Sequence, residues 1–268
     1  MTLARHWRDA EPADYAVIGD PVHHSLSPTM HMAAYRELGL DLRYVAVHVP
    51  EGELESALSH LESLGYHGVN ATIPHKSAAA AWAQVRSPLV ERAQVANTLR
   101  FRDRASLNTD GPGFMDTLSD LGVTSGRVLV LGAGGSARAL FVVLAEAGYE
   151  ISAFNRTRAR LTSLLTEVQV NATVLDAPSL DGFDLILNTT ASSLQGENLD
   201  LPWSEARPDA LAYDLMYSAE PTPFLRSAAA HGLQTTDGLG MLVAQGARAL
   251  EWWLGVPAPR DVMRRAIQ

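Results

Sequence analysis

Apolar and polar positions along the first part of the chain predict short buried strands separated by amphipathic helices. Tyr15 to Gly19 reads as a strand. Ser27 reads as an N-cap with Pro28 at the first helical position, and Met30, Ala33, Ala34 and Leu38 recur at helical spacing until Gly39 ends the run. Arg43 to Val49 then predicts a strand, Glu51 to Leu64 a helix, His67 to Ala71 a strand and Val95 to Phe101 another. From Thr124 the texture tightens. Strand Arg127 to Leu131 runs through a glycine turn into a helix over Ser136 to Ala147. Strand Glu150 to Phe154, a helix from Thr157, and strands Asp184 to Asn188 and Ala210 to Asp214 follow. Two more helices are predicted over about Leu239 to Leu254 and Arg260 to Ile267. Strands alternating with helices in this way predict an α/β fold built on mostly parallel sheets. The change of texture predicts two α/β domains, residues 1–112 with 237–268 and residues 113–236. Gly111 to Gly113 and the Asp237, Gly238, Gly240 stretch are the expected hinges.

Composition narrows the class. The 268 residues carry 21 Lys+Arg against 30 Asp+Glu, a formal charge of -9, which argues against a nucleic-acid partner because phosphate binding draws on clustered positive charge. With 47% hydrophobic and 19% charged residues, the chain can bury a substantial core. It has no cysteine, so disulfides, thiolate nucleophiles and Cys-type zinc or iron–sulfur ligation are excluded. Met1 to Asp14 lacks the apolar core of a signal peptide, and no run approaches the roughly 20 apolar residues of a membrane span. The expectation is a soluble, cytoplasmic protein without a membrane partner.

The strand Val128-Leu129-Val130-Leu131 enters Gly132-Ala133-Gly134-Gly135-Ser136, after which Ala139, Leu140, Val143, Leu144 and Ala147 keep helical spacing. Glycines let a turn close tightly and let backbone N–H groups approach a pyrophosphate at a helix N-terminus, where the dipole favours negative charge. The spacing is G-x-G-G, short of the full dinucleotide fingerprint, and a strand–helix turn of another α/β protein would also produce it. The end of the next strand adds information. A dinucleotide site ordinarily has an acidic residue there for the ribose 2′-hydroxyl, whereas this chain has Asn155-Arg156-Thr157-Arg158-Ala159-Arg160. Guanidinium groups bind a 2′-phosphate that a carboxylate would repel, so the expected cofactor is NADP(H).

The first domain supplies polar groups suited to a small anionic substrate. Ser25 and Ser27 place two hydroxyls at a helix N-terminus, apt for a carboxylate, although Ser27 is equally suited to capping. Asn70-Ala71-Thr72-Ile73-Pro74-His75-Lys76 closes a strand at the sheet edge where open α/β sheets bind ligands. Asn97-Thr98 and Asn108-Thr109-Asp110-Gly111 follow. Taken singly, Lys76 reads as a surface charge and Asp110 as a turn residue.

Taken together and in order, G-D-P-V-H-H-S-L-S-P, N-A-T-I-P-H-K, A-N-T-L, N-T-D-G, G-A-G-G-S-A-R-A, N-R-T, Y-D-L-M-Y with T-P-F-L, and D-G-L-G-M-L-V-A-Q resemble the shikimate dehydrogenase family from about Tyr15 to Gln245. The resemblance implies a two-domain enzyme, an N-terminal substrate domain and a Rossmann-like NADP-binding domain facing each other across a cleft. It would reduce 3-dehydroshikimate to shikimate with NADPH in aromatic amino acid biosynthesis. By the same resemblance Lys76 and Asp110 flank the reacting oxygen, Lys76 as acid/base and Asp110 as its partner. Ser25, Ser27, Asn70, Thr72, Asn97, Tyr217 and Gln245 hold the substrate. Gly132, Ala133, Gly134, Gly135 and Ser136 cradle the pyrophosphate, Asn155, Arg156, Thr157 and Arg160 the 2′-phosphate, and Leu215 and Gly238 lie beside the nicotinamide. Departures from the family pattern, among them Ala71, Met32 and Leu215, remove no proposed catalytic group.

His23, His24, His31 and His75, with Asp20 nearby, invite a metal reading, but hydride transfer to a ketone can use Lys76 in place of a Lewis acid, and no metal is expected. Alternatives to the leading function are a broader quinate/shikimate or aminoshikimate dehydrogenase, and a non-catalytic ligand-binding sensor that keeps the fold. The oligomer is expected to be a monomer or a homodimer.

Overall fold

A computed structural model describes residues 4–268, leaving aside the side chains of Leu194 and Gln195. The chain divides into two compact units, Met1–Gly113 with Leu242–Gln268, and Phe114–Met241. Both are α/β.

Seven strands form the sheet of the first unit: β1 (Arg5–His6), β2 (Tyr15–Gly19), β3 (Tyr44–His48), β4 (Gly68–Ala71), β5 (Val85–Arg86), β6 (Thr98–Arg100) and β7 (Ala105–Leu107). Their spatial order is β1-β3-β2-β4-β6-β7-β5. β1, β3, β2 and β4 run parallel, and β6 pairs antiparallel with β4 and with β7. All five residues of β2, at the centre of the parallel part, are buried, as befits a strand covered on both faces. Helix α1 (Ser27–Glu37) packs on one face with the two helices that end the chain, through Met30, Ala34, Tyr35, Val243, Leu250 and Trp253. Helix α2 (Leu54–Ser63) covers the other with Leu54, Ala57, Leu58 and Leu61, the spacing that its sequence predicted.

Three local readings are corrected. Ser27 is the first helical residue of α1, not its cap; Leu26 holds the N-cap position, and Ser25 Oγ accepts from Ser27 N at 3.3 Å. The strand expected over Val95 to Phe101 is confined to β6, because α4 (Pro88–Ala93) ends on Gln94 in the left-handed region (φ 57°) and the chain re-enters the sheet only at Thr98. The glycines expected to hinge the domains at 111–113 lie inside α5 (Asp110–Asp120). Proline is tolerated in the first turn of a helix, so Gly111-Pro112-Gly113 need not break it. Helix α3 (Lys76–Trp82) was also unread, since its run of alanines carries no apolar period.

The second unit is a parallel six-stranded sheet of β8 (Arg127–Leu131), β9 (Glu150–Phe154), β10 (Thr173–Val174), β11 (Leu185–Asn188), β12 (Leu211–Asp214) and β13 (Gln234–Thr236). The order β10-β9-β8-β11-β12-β13 is the 3-2-1-4-5-6 order of a dinucleotide-binding sheet. Helices α6 (Gly135–Glu146), α7 (Arg158–Glu167) and α8 (Pro223–Ala230) connect its strands. Thr222 caps α8, its hydroxyl accepting from Leu225 N at 3.3 Å, with Pro223 at the first position. Helix α9 (Leu239–Leu254) returns the chain to the first unit, and α10 (Arg260–Arg265) closes it. The division between units thus falls within α5 and within α9, a few residues from the glycine turns that the sequence suggested. Among the described residues no helix is long and apolar enough to cross a membrane.

Candidate active site

The carboxyl end of β4, the start of α3, the residues before β6 and the start of α5 converge in the first unit. Lys76, the first residue of α3, places Nζ 2.7 Å from Asp110 Oδ2, and the two side chains are only 12% and 9% exposed. Asp110 is the first residue of α5, and Asn108 steadies that helix start by accepting from Gly111 N at 3.1 Å. His75, buried, anchors the loop ahead of α3 by donating Nε2 to Val49 O at 2.7 Å. One of the histidines that suggested a metal thus has a backbone bond to make. No cluster of three or more metal-ligating side chains occurs among the described residues.

Asn97 stands at the hub. Its Nδ2 lies 3.0 Å from Asp110 Oδ1, 2.9 Å from Thr109 Oγ1 and 3.3 Å from Gln245 Oε1, while its Oδ1 accepts from Thr109 N at 2.7 Å. Two amide protons face three acceptors, so one acceptor is always left for another donor. Gln245 reaches this point because α9 crosses close over α5. A Cβ on Gly113 would sit 2.7 Å from Gln245 N, which fixes glycine there.

Asn70 extends the network, donating to Thr98 Oγ1 at 2.9 Å and Asn97 O at 3.1 Å and accepting from Tyr44 Oη at 2.7 Å. Burial and the neighbouring Tyr35 push the Tyr44 phenol well above its ordinary pKa, so it stays a neutral donor. The structure therefore joins Asn70, Asn97, Gln245, Asp110 and Lys76 in one network, while Ser25 and Ser27 are linked to each other through the Ser27 amide. Thr72 lies just beyond β4, its methyl packed where a Cβ on Gly19 would come within 2.5 Å. Tyr217 belongs to the second unit, in the segment after β12.

In the second unit β8 ends at Gly132, whose φ of +115° suits only glycine and whose Cβ would meet Thr189 Oγ1 at 2.6 Å. Gly134 occupies the N-cap of α6 without a side-chain cap, and a Cβ there would meet nothing within 4 Å. The head of α6 is thus open beside Gly134, a cradle that fits a pyrophosphate. Arg160 braces it, Nε donating to Ala133 O at 3.1 Å. Asn155 Nδ2 donates to Thr157 O at 2.9 Å, folding the turn ahead of α7. Arg158 is held by Asp176 at 2.5 Å, whereas the exposed Arg156 has no ion pair among the described residues. Leu215 and Gly238 are in backbone contact, since a Cβ on Gly238 would lie 2.0 Å from Leu215 O.

Residues 17–99 match the shikimate dehydrogenase substrate binding domain and residues 238–268 the shikimate 5′-dehydrogenase C-terminal domain. The chain is 39% identical over 261 residues to the shikimate dehydrogenase (NADP(+)) of Methanocella arvoryzae, covering 94% of this chain and 97% of that one. The chain belongs to the shikimate dehydrogenase family. Among solved structures, shikimate 5-dehydrogenase of Thermus thermophilus in complex with NADP(H) and shikimate superposes with a TM-score of 0.87 at 36% identity, covering 95% of this chain and 98% of that one. Shikimate dehydrogenase of Aquifex aeolicus gives 0.89 at 31% identity, covering 97% and 99%.

Within this family member the sequence left three buried polar groups unread. Thr109 sat inside a quoted motif but between two more conspicuous residues. Asp214, also inside a motif, is wholly buried and accepts from Asn188 Nδ2, Met216 N, Ser193 Oγ and Thr222 Oγ1 at 3.1, 3.1, 2.5 and 2.7 Å, knotting the segments after β11 and β12. Tyr44 had no signal, because an aromatic residue opening a strand reads as core.

Proposed function

We propose that the chain catalyses the NADP-dependent, reversible reduction of 3-dehydroshikimate to shikimate. The observation that carries this is the largely buried Lys76–Asp110 pair at 2.7 Å, set in a network of amides and hydroxyls in the unit that matches a substrate-binding family. The first unit is the substrate domain and the second the NADP domain. Bound NADPH supplies the hydride.

The residues of the chain do the rest. Reduction leaves negative charge on the former ketone oxygen. The Lys76 ammonium lies against that oxygen, stabilises the charge and delivers one of its protons, and in the reverse direction neutral Lys76 accepts the hydroxyl proton. Asp110 holds the ammonium in place and Asn97 holds Asp110. Ser25 and Ser27, at the start of α1, bind the substrate carboxylate, with Asn70, Thr72, Asn97 and Gln245 on the ring hydroxyls. Gly132 to Ser136 receive the pyrophosphate. Arg156, with Asn155, Thr157 and Arg160, takes the 2′-phosphate, and Leu215 and Gly238 border the nicotinamide. The guanidinium of Arg156 supports NADP over NAD, as its charge has no ion-pair partner among the described residues.

The test is a panel of shikimate and quinate, each with NADP+ and NAD+, read by absorbance of the reduced nicotinamide. Turnover of shikimate with NADP+ well above the other three combinations is expected. Equal use of quinate would make the enzyme a broader dehydrogenase, and binding without absorbance change would make it a sensor.

A further inference from the structure

Tyr44 belongs to none of the groups assigned above, yet its hydroxyl is bonded to one of them. The residue opens β3 and is 2% exposed. A strand residue that only fills core needs no hydroxyl, and burying one costs free energy unless it is bonded. Here Oη donates to Asn70 Oδ1 at 2.7 Å. Beneath the ring, the His31 imidazole lies parallel to it, centroids 4.2 Å apart and planes 1° apart. His31 is fully buried, and neither ring nitrogen has a hydrogen-bond partner. The imidazole therefore contributes its face, and the stack limits where the phenol can sit.

A proton count at Asn70 shows what the phenol controls. Both amide protons are spent, on Thr98 Oγ1 and Asn97 O. Oδ1 accepts one proton from Tyr44 and keeps one lone pair. Asn70 can therefore offer a ligand hydroxyl an acceptor and nothing else, at a place fixed from both sides of the amide.

We propose that Tyr44 is a positioning residue for the substrate, holding Asn70 as an acceptor for a ring hydroxyl. This rests on the assignment of Asn70 to substrate. Tyr44 touches neither the reacting oxygen nor the cofactor groups, so its effect falls on substrate affinity.

Initial rates of wild type, Tyr44→Phe, Asn70→Ala and the double variant, with shikimate and NADP+ varied in turn, test this. Tyr44→Phe keeps the ring on His31. Loss of one net hydrogen bond between neutral groups should raise the KM for shikimate about 5-fold, leaving the KM for NADP+ and kcat unchanged to about a factor of two. In the Asn70→Ala background the same change should alter the shikimate KM by less than about twofold, because Tyr44 acts through Asn70. An unchanged shikimate KM in Tyr44→Phe, an equal loss in both backgrounds, or a parallel rise in both KM values would overturn the proposal. If Tyr44→Phe does not fold, Tyr44→Leu serves instead in the same two backgrounds. Its effect on the shikimate KM should likewise shrink to less than about twofold in Asn70→Ala, and an equal loss in both backgrounds overturns the proposal. A wild type that fails to turn over shikimate refutes the function and this inference with it, whereas an active wild type with an unaffected Tyr44→Phe refutes the inference alone.

Discussion

Replacing Asp110 by Asn removes one charge from the Lys76–Asp110 pair and almost no volume. At 2.7 Å, two unit charges attract by about 6 kcal/mol with an effective dielectric constant of about 20, and desolvation offsets part of that. The carboxylate now accepts on both oxygens, from Lys76 and from Asn97. An amide has one acceptor for two donors. Asn97 has Thr109 Oγ1 and Gln245 Oε1 as alternatives, so the amide oxygen should stay on Lys76 and its NH2 should turn towards Asn97. Geometry is then largely kept and the counter-charge is lost. Breaking a buried pair costs about 3–5 kcal/mol, and about 3–4 kcal/mol on the barrier corresponds to roughly a 100- to 1000-fold lower kcat. The assay is NADP+ reduction at saturating shikimate, beside a thermal melt to show that the variant is folded. A folded Asp110→Asn enzyme that kept more than about a tenth of wild-type kcat, far outside the range expected for a proton-handling group, would refute the reasoning.

Arg156→Asp should weaken NADP+ binding about 10- to 100-fold, the worth of a charge-assisted contact, and leave NAD+ binding nearly unchanged. Equal losses for both cofactors, measured as KM values, would count against the 2′-phosphate role. His31 bears on pH. Burial lowers its pKa from the ordinary 6.5 to about 3, so below 6.5 the unfolded chain takes up a proton that the folded chain refuses. Stability contributed by the neutral imidazole is complete above pH 6.5 and is lost as pH falls towards 3, by up to about 5 kcal/mol. His31→Phe keeps a ring against Tyr44 and loses no hydrogen bond, so its urea-unfolding free energy should fall less steeply over that window, and parallel curves for the two proteins would contradict this.

Strands and helices were legible where one period dominated. Tyr15 to Gly19, Arg127 to Leu131, Glu150 to Phe154 and Leu239 to Leu254 were read at the bounds they have, because each is a run of buried apolar residues between clear turn signals. Reading failed where composition and conformation part. Gly111-Pro112-Gly113 resembles a turn and is helical; the alanines after Lys76 have no period and are helical; Ser27 looked like a cap and is the first residue of the helix, its N–H donating to Ser25 Oγ. For the candidate site, residue types at the ends of strands pointed to Lys76, Asp110, Asn70 and Asn97, but only their order along the chain distinguished them from ordinary surface and turn residues. Tyr44 was illegible for a physical reason. Its part depends on where one hydroxyl sits relative to Asn70, 26 residues ahead, and a sequence pattern carries side chains' types and not their meeting points.

The central claim meets its most direct test in the turnover number for shikimate oxidation by Lys76→Ala, at saturating shikimate and NADP+, beside the wild type. Loss of the group that gives and takes the proton should lower kcat by at least about 100-fold, with NADP+ still bound at wild-type affinity. A folded Lys76→Ala protein turning over shikimate at close to the wild-type rate would show that the proton passes elsewhere.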